Sequence, residues 1–228
     1  MSTREQILES IRTALKDSPV APEIPRDYRR SDPQTTAERI QTFADRIEDY
    51  KASAIVVSSS DVPATIENLL TGSSSYAVPA DFDPLWLSSE TRPDRRRVDG
   101  GSEGRISADV LDSIDAVVTA SSVAAAESGT IILDGGPSQG RRIISLIPDH
   151  HICVVRVQDI VAILPEALAR IDGTRPITMI SGPSATSDID LERVEGVHGP
   201  RRLDVIIALD STPDRQREVV PRNPKLAE

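Results

Sequence analysis

Two rhythms of apolar positions divide this chain. Ile7, Leu8, Ile11 and Leu15 recur at three- and four-residue intervals, which places them on one face of a helix over residues 4–16. Ile40, Phe43, Ile47 and Tyr50 repeat that spacing and predict a second amphipathic helix over 34–50. Pro19, Pro22, Pro25 and Pro33 lie between the two, so that stretch cannot be helical throughout and reads as an extended connector. The apolar face of the first helix needs a cover. The connector lets it dock on the body of the protein or on a second copy of the chain.

From residue 54 the rhythm shortens. Apolar, often β-branched runs at 54–57, 76–78, 115–119, 130–133, 152–155, 177–180 and 205–209 predict strands. Helices are predicted at 62–70, ended by Gly72, at the Ala-rich 121–126, and at 161–171 with Pro165 near its first turn. Residues 80–105 read as irregular, and the tail after Ser211 is charged and carries three prolines. Strands this short and continuously apolar belong to a sheet covered on both faces. The alternation predicts an α/β fold: an open, mostly parallel sheet with helices on both faces and an N-terminal helical appendage. The strands within 115–155 stand too close for helical crossovers throughout, so some antiparallel pairing is expected. The division expected is 1–33 for helix and connector, 34–210 for the α/β domain and 211–228 for the tail.

Charge and composition narrow the function classes. With 26 Lys plus Arg against 36 Asp plus Glu, the net charge is −10, which repels nucleic acid phosphates. Aromatics at 3% leave little surface on which to stack bases. One cysteine, Cys153, excludes an internal disulfide and also a self-supplied iron–sulfur cluster, which takes about four thiolates. It sits in the apolar run 151–155 and reads as a buried small hydrophobe, with no neighbour in sequence that would activate it as a thiol. The N-terminus lacks the basic-then-apolar pattern of a signal peptide, and no apolar run approaches the roughly 20 residues that span a bilayer, so a cytoplasmic location is expected.

Candidate chemistry concentrates in 180–200. The strand at 177–180 runs into Ser181-Gly182-Pro183-Ser184, then Thr186 and Asp188, a short helical pattern, and Gly196-Val197-His198-Gly199-Pro200. Unpaired N–H groups at a helix start, with the Ser184 and Thr186 hydroxyls, suit a carboxylate or phosphate. A plain capped turn with Asp188 as the cap is the alternative. His198, on a loop, is the best general acid–base candidate, against a histidine that only bonds backbone. Glu127-Ser128-Gly129-Thr130 enters a strand; Glu127 is a candidate base or nucleophile, against a solvated turn residue. Residues 135–142, GGPSQGRR, approach a phosphate-binding loop but lack its Lys and Ser/Thr and read as a polar connection. The run Arg95-Arg96-Arg97 reads as a solvated loop, with anion binding as the alternative. His150 and His151 are adjacent on a strand and point to opposite faces, and no H-x-x-x-H or C-x-x-C spacing exists, so no metal and no cofactor are expected. No G-x-G-x-x-G or G-x-S-x-G pattern is present.

Taken together, E-S-G-T at 127–130, R-I-I-S-L-I-P-D-H at 142–150, S-G-P-S-A-T-S-D-I-D at 181–190 and G-V-H-G-P at 196–200 resemble the LUD domain family, in its LutC/YkgG branch, over roughly residues 35–210. Ser128 stands where most members carry Thr, and Ala185 where a basic residue often lies. The resemblance implies a fold related to the NagB/RpiA/CoA-transferase-like group, with a site at the carboxyl ends of its strands. It implies a part in oxidising L-lactate to pyruvate beside partner proteins that carry the iron–sulfur clusters. On that reading a cluster-free subunit binds a small anionic ligand through Ser128, Gly129, Thr130, Arg142, Ser181, Gly182, Pro183, Ser184, Thr186, Asp188 and Gly199, with Glu127 and His198 as catalytic candidates. The alternatives are a stand-alone acyl- or phosphosugar-type enzyme and a non-catalytic assembly module.

Overall fold

Both amphipathic patterns form helices with matching start signals. In α1 (Thr3–Ala14) Ser2 and Glu5 close a capping box, and in α2 (Thr36–Asp49) Thr35 and Glu38 close another. The computed structural model describes residues 2–16, 23–102, 104–186, 194–195 and 199–210. After α2 come β1 (Ser53–Ser58), α3 (Val62–Leu69), β2 (Tyr76–Pro79), β3 (Arg96–Asp99), α4 (Ala108–Asp112), β4 (Ala116–Ala120), β5 (Val123–Ala125) and β6 (Thr130–Leu133). They are followed by β7 (His150–Arg156), β8 (Ile160–Val161), α5 (Leu164–Arg170), β9 (Thr178–Ile180), β10 (Ala185–Thr186), β11 (Val194–Glu195) and β12 (Arg202–Leu209).

The main sheet has six strands, all parallel, in the order β1-β12-β7-β4-β2-β3. Alternate residues of its strands supply two apolar faces. One carries Tyr76, Val78, Ala116, Val118, Ile152, Val154 and Ile206 and packs on Val62 and Ile66 of α3. The other carries Cys153, Val155, Val205 and Ile207 and packs on Phe43 and Ile47 of α2. A second sheet, β8-β5-β6-β9, joins that same face through Ala124, Ile131 and Leu133. Its β5–β6 and β6–β9 pairs are antiparallel, which is the expected antiparallel component. The α/β class and the helices on both faces are as expected.

Three local expectations fail, each for a tertiary reason. The Ala-rich 121–126 is not a helix: its centre is β5, buried between β8 and β6. Alanine's helix preference amounts to tenths of a kcal/mol per residue and is outweighed by two strand partners. The helix expected at 161–171 begins later, because Val161 belongs to β8. Residues 80–105 contain β3, a four-residue edge strand that forms by pairing in parallel with β2.

The Arg95–Arg97 run is not a solvated loop. Arg95 is 3% exposed. It donates to the carbonyls of Leu70 at 2.7 Å and Ser73 at 3.2 Å and pairs with both oxygens of Glu67 at 3.0 and 3.1 Å. Those bonds occupy Nη1 and Nη2 of the buried guanidinium, while Nε is buried without a partner, and they remove Arg95 as an anion-binding group.

Helix α1 buries no residue. Ile7, Ile11 and Leu15 are about half exposed, so packing on the body is not what the single chain shows. No helix among the described residues is long and apolar enough to cross a membrane.

Candidate ligand-binding site

Strand register brings two of the sequence motifs together. Ile131 of β6 stands opposite Ile180 of β9, so the residues just outside that pair, Thr130 and Ser181, meet at the same end of the ladder. Thr130 Oγ1 lies 2.8 Å from Ser181 Oγ and 2.8 Å from Ser128 Oγ, a chain of three hydroxyls built from segments 51 residues apart. Thr130 is buried in its middle and Ser181 is exposed at its end. Hydroxyls both donate and accept, so such a chain can turn its terminal proton toward an oxyanion or carbonyl. Thr130→Val keeps the volume and breaks the chain. A loss of about 1 kcal/mol in urea unfolding is expected, since both serines still reach water.

The glycines of these motifs serve packing. Gly129 has φ +57° and Gly182 φ +98°, the left-handed region that favours glycine. A Cβ on Gly129 would lie 2.8 Å from Arg46 Cβ, and one on Gly182 would lie 2.6 Å from Tyr50 Cβ. Arg46 and Tyr50 are one turn apart at the end of α2, so one helix face holds both turns.

Ser184 and Gly199 also meet. The Ser184 N–H donates to the Pro200 carbonyl at 2.8 Å, and a Cβ on Gly199 would touch Ser184 Cβ at 3.4 Å and the Leu146 carbonyl at 3.7 Å. Pro200 precedes β12 and Leu146 precedes β7. These motifs therefore gather at the amino ends of the parallel strands, not at the carboxyl ends that the resemblance implied. Beyond Ser184 the backbone forms an antiparallel ladder, Ala185 opposite Glu195 and Thr186 opposite Val194; of the short helical pattern expected after Asp188, Val194 and Glu195 lie in this ladder and the rest falls outside the described residues. Asp188 and His198 lie outside the described residues, and Pro183 is buried.

Two further candidates stand apart from the hydroxyl chain. Glu127, half exposed, is ion-paired with Arg29 of the connector. Its N–H is bonded to the Ala162 carbonyl at 2.9 Å. Arg142 is exposed on a short 3-10 turn over 142–145 and has no contact with the hydroxyls.

Sequence reasoning missed a polar cluster at the same amino end. His150 Nε2 lies 2.6 Å from Asp204 Oδ2, and Arg202 Nε lies 2.8 Å from that oxygen. Burial pushes the Asp204 carboxyl up, but the His150 and Arg202 partners outweigh it and hold it below the usual carboxylate range. The pair comes from facing strands, and the only sequence signal is polar residues at two strand starts. On the opposite sheet face His151 Nε2 lies 2.8 Å from Thr119 Oγ1. Burial pushes His151 down to about 3 and the neighbouring Cys153 thiol up to about 12, so the histidine is neutral and the thiol protonated at neutral pH. Among the described residues no three His, Cys, Asp or Glu side chains gather as a metal site.

Comparison with known proteins adds to this geometry. The LUD domain model matches residues 40–208. Lactate utilization protein C of Deinococcus radiodurans is 43% identical over 206 residues, 89% of this chain and 93% of that one. Lactate utilization protein C of a Geobacillus species is 32% identical over 117 residues, 48% of each chain. A crystal structure of a DUF162 family protein from Deinococcus radiodurans matches with a TM-score of 0.64 and 38% identity, over 77% of this chain and 99% of that one. The matched region runs from α2, through both glycine turns and the hydroxyl chain, into β12, and the chain belongs to the LUD domain family.

Proposed function

We propose that this chain is a cluster-free subunit of an L-lactate utilisation system, which works with iron–sulfur partner proteins in oxidising L-lactate to pyruvate. The names and coverage of its relatives support that role. A lone, buried cysteine accords with electron transfer being carried elsewhere. We further propose that it binds a small anionic ligand beside the Ser128–Thr130–Ser181 hydroxyls, with Ser184, Gly199 and His198 completing the site. The convergence of three hydroxyls from two distant motifs is the observation that carries this part.

The test is complementation. In a strain that lacks its own copy, the wild-type gene is expected to restore growth on L-lactate, and His198→Ala and Ser181→Ala to restore it poorly while the purified variants keep the wild-type melting temperature. Full growth with both variants would reject the site. No restoration by the wild-type gene, expressed with its partners, would reject the role. Turnover of L-lactate by the chain alone would instead favour a stand-alone enzyme.

A further inference from the structure

At the carboxyl end of the parallel sheet the connections part. From β2 the chain passes outward to β3, while from β4 it passes the other way, through the second sheet, to β7. Neighbouring strands whose continuations diverge leave a crevice between their ends, and open α/β sheets take up ligands there. In this protein it is a groove of about 380 Å³ that begins at Pro79 and Ala80, at the carboxyl end of β2.

The glycine-rich run at 135–140 bridges the divergence. The Ala120 N–H, at the end of β4, donates to the Ser138 carbonyl at 2.7 Å, and Ser138 Oγ donates to the Asp81 carbonyl at 3.1 Å. Inside the loop the Asp134 N–H donates to Gln139 Oε1 at 2.7 Å, and Asp134 Oδ1 accepts from the Gly136 N–H at 3.1 Å. Gly135 and Gly140 take φ +68° and +67°. A Cβ on Gly140 would lie 2.6 Å from Ile144 Cδ1 and 3.1 Å from Pro79 Cγ, so only glycine lets the loop approach the strand end this closely. The wall is therefore pre-built, and it presents backbone to the groove.

The groove also has a charged edge. Asp99, at the end of β3, is 4% exposed. Arg141 grips it side-on, Nε to Oδ2 at 2.8 Å and Nη2 to Oδ1 at 2.5 Å, and Nη2 also donates to the Ile106 carbonyl at 2.8 Å. Nη1 takes no part in these bonds. Arg105 lines the same groove and acts on the same carboxylate. Two guanidinium groups around one carboxylate leave one positive charge at this edge, held in place by a buried anchor. Asp81 lines the groove as well, so a bare anion meets repulsion there, whereas a ligand that also donates a proton does not.

The geometry points to a second ligand site in this groove, for a small carboxylate that carries a neighbouring hydroxyl, its carboxylate toward Arg105 and Arg141 and its hydroxyl toward Asp81. The site stands on the groove itself; the choice of L-lactate as first probe rests on the proposed role. The test is titration of the ¹⁵N-labelled full chain with L-lactate and glycolate, with propionate and inorganic phosphate as controls. The amide signals of Gly100, Gly135 and Gly140 are expected to move with the hydroxy-carboxylates. Arg105→Gln should weaken binding by about tenfold or more, the loss of one charge-assisted contact. Arg97→Gln, a charge-matched change at an exposed arginine bonded only to backbone, should not weaken it. Shifts confined to Gly182 and Gly199, binding indifferent to Arg105→Gln, equal binding of propionate or phosphate, or no binding of either hydroxy-carboxylate would each overturn the site. Binding of glycolate without L-lactate would keep the site and count against the lactate role.

Discussion

Lowering the pH from 7 to 4.5 is expected to remove about 2–3 kcal/mol of folding stability through one side chain, His151. The imidazole is buried against Thr119 on the α2 face of the main sheet, and burial pushes it down to about 3. The unfolded chain takes up its proton near pH 6.5, whereas the folded chain does not until near pH 3. Between those values the unfolded state binds more protons, so stability is full above about pH 6.5 and falls as the pH drops. The loss reaches about 4 kcal/mol by pH 3. Asp99, Asp115 and Asp204, also held below the usual carboxylate range, add their own losses only below about pH 4. Glu38, lowered by its bonds to Thr35, begins to add a loss near the pH 4.5 end, so the upper part of the window, from about 6.5 to about 5.5, isolates the histidine. Urea midpoints across that window give the slope, and His151→Gln should flatten it. A flat profile in the wild type, or an unchanged slope in the variant, would refute this account.

Gly182→Ala is expected to cost about 2–6 kcal/mol, and Gly129→Ala nearly as much. Each combines two penalties: a side chain forced into left-handed backbone, about 1–3 kcal/mol, and overpacking against a neighbour, about 1–3 kcal/mol. At Gly182 the new Cβ meets Tyr50 Cβ at 2.6 Å and the Tyr50 carbonyl at 3.3 Å; at Gly129 it meets Arg46 Cβ at 2.8 Å and the Arg46 backbone carbon at 3.1 Å. Backbone cannot rotate aside as a side-chain tip can, so α2 must shift. The decisive control is Gly72→Ala, where no atom lies within 4 Å and no such penalty applies. Equal melting temperatures for Gly72→Ala and Gly182→Ala would defeat the packing argument. If α2 does move, the hydroxyl chain moves with it, and the ligand binding proposed at the amino end should weaken along with stability.

These glycines show how a motif can be legible while its role is not. E-S-G-T and S-G-P-S were readable as turns next to strands, and their order along the chain carried the family resemblance. That Gly129 and Gly182 rest on the same helix depends on where α2 lies, which neither motif encodes locally. Likewise Thr130 and Ser181 were both candidates, but their 2.8 Å contact follows from β6–β9 register. Arg142 belonged to a motif of the same resemblance and stands apart from the hydroxyls, because the chain from 141 to 149 runs from one end of the main sheet to the other.

What the sequence determined alone was what depends on neighbours along the chain. The spacing of Ile40, Phe43 and Ile47, closed by the Thr35–Glu38 cap, is enough to make α2, and the continuous apolar runs at 152–155 and 205–209 are enough to make strands buried on both faces. What only the tertiary structure decided was what depends on neighbours across it. An Ala-rich segment became β5 because two strands flank it, Arg95 became a core residue because Glu67 and two carbonyls face it, and the Ser184 and Gly199 turns came to the amino end of the sheet because Pro200 and Leu146 precede β12 and β7. Local propensities differ by tenths of a kcal/mol per residue, while a buried strand partner or an orphaned guanidinium is a matter of several, so the longer-range term wins wherever the two disagree.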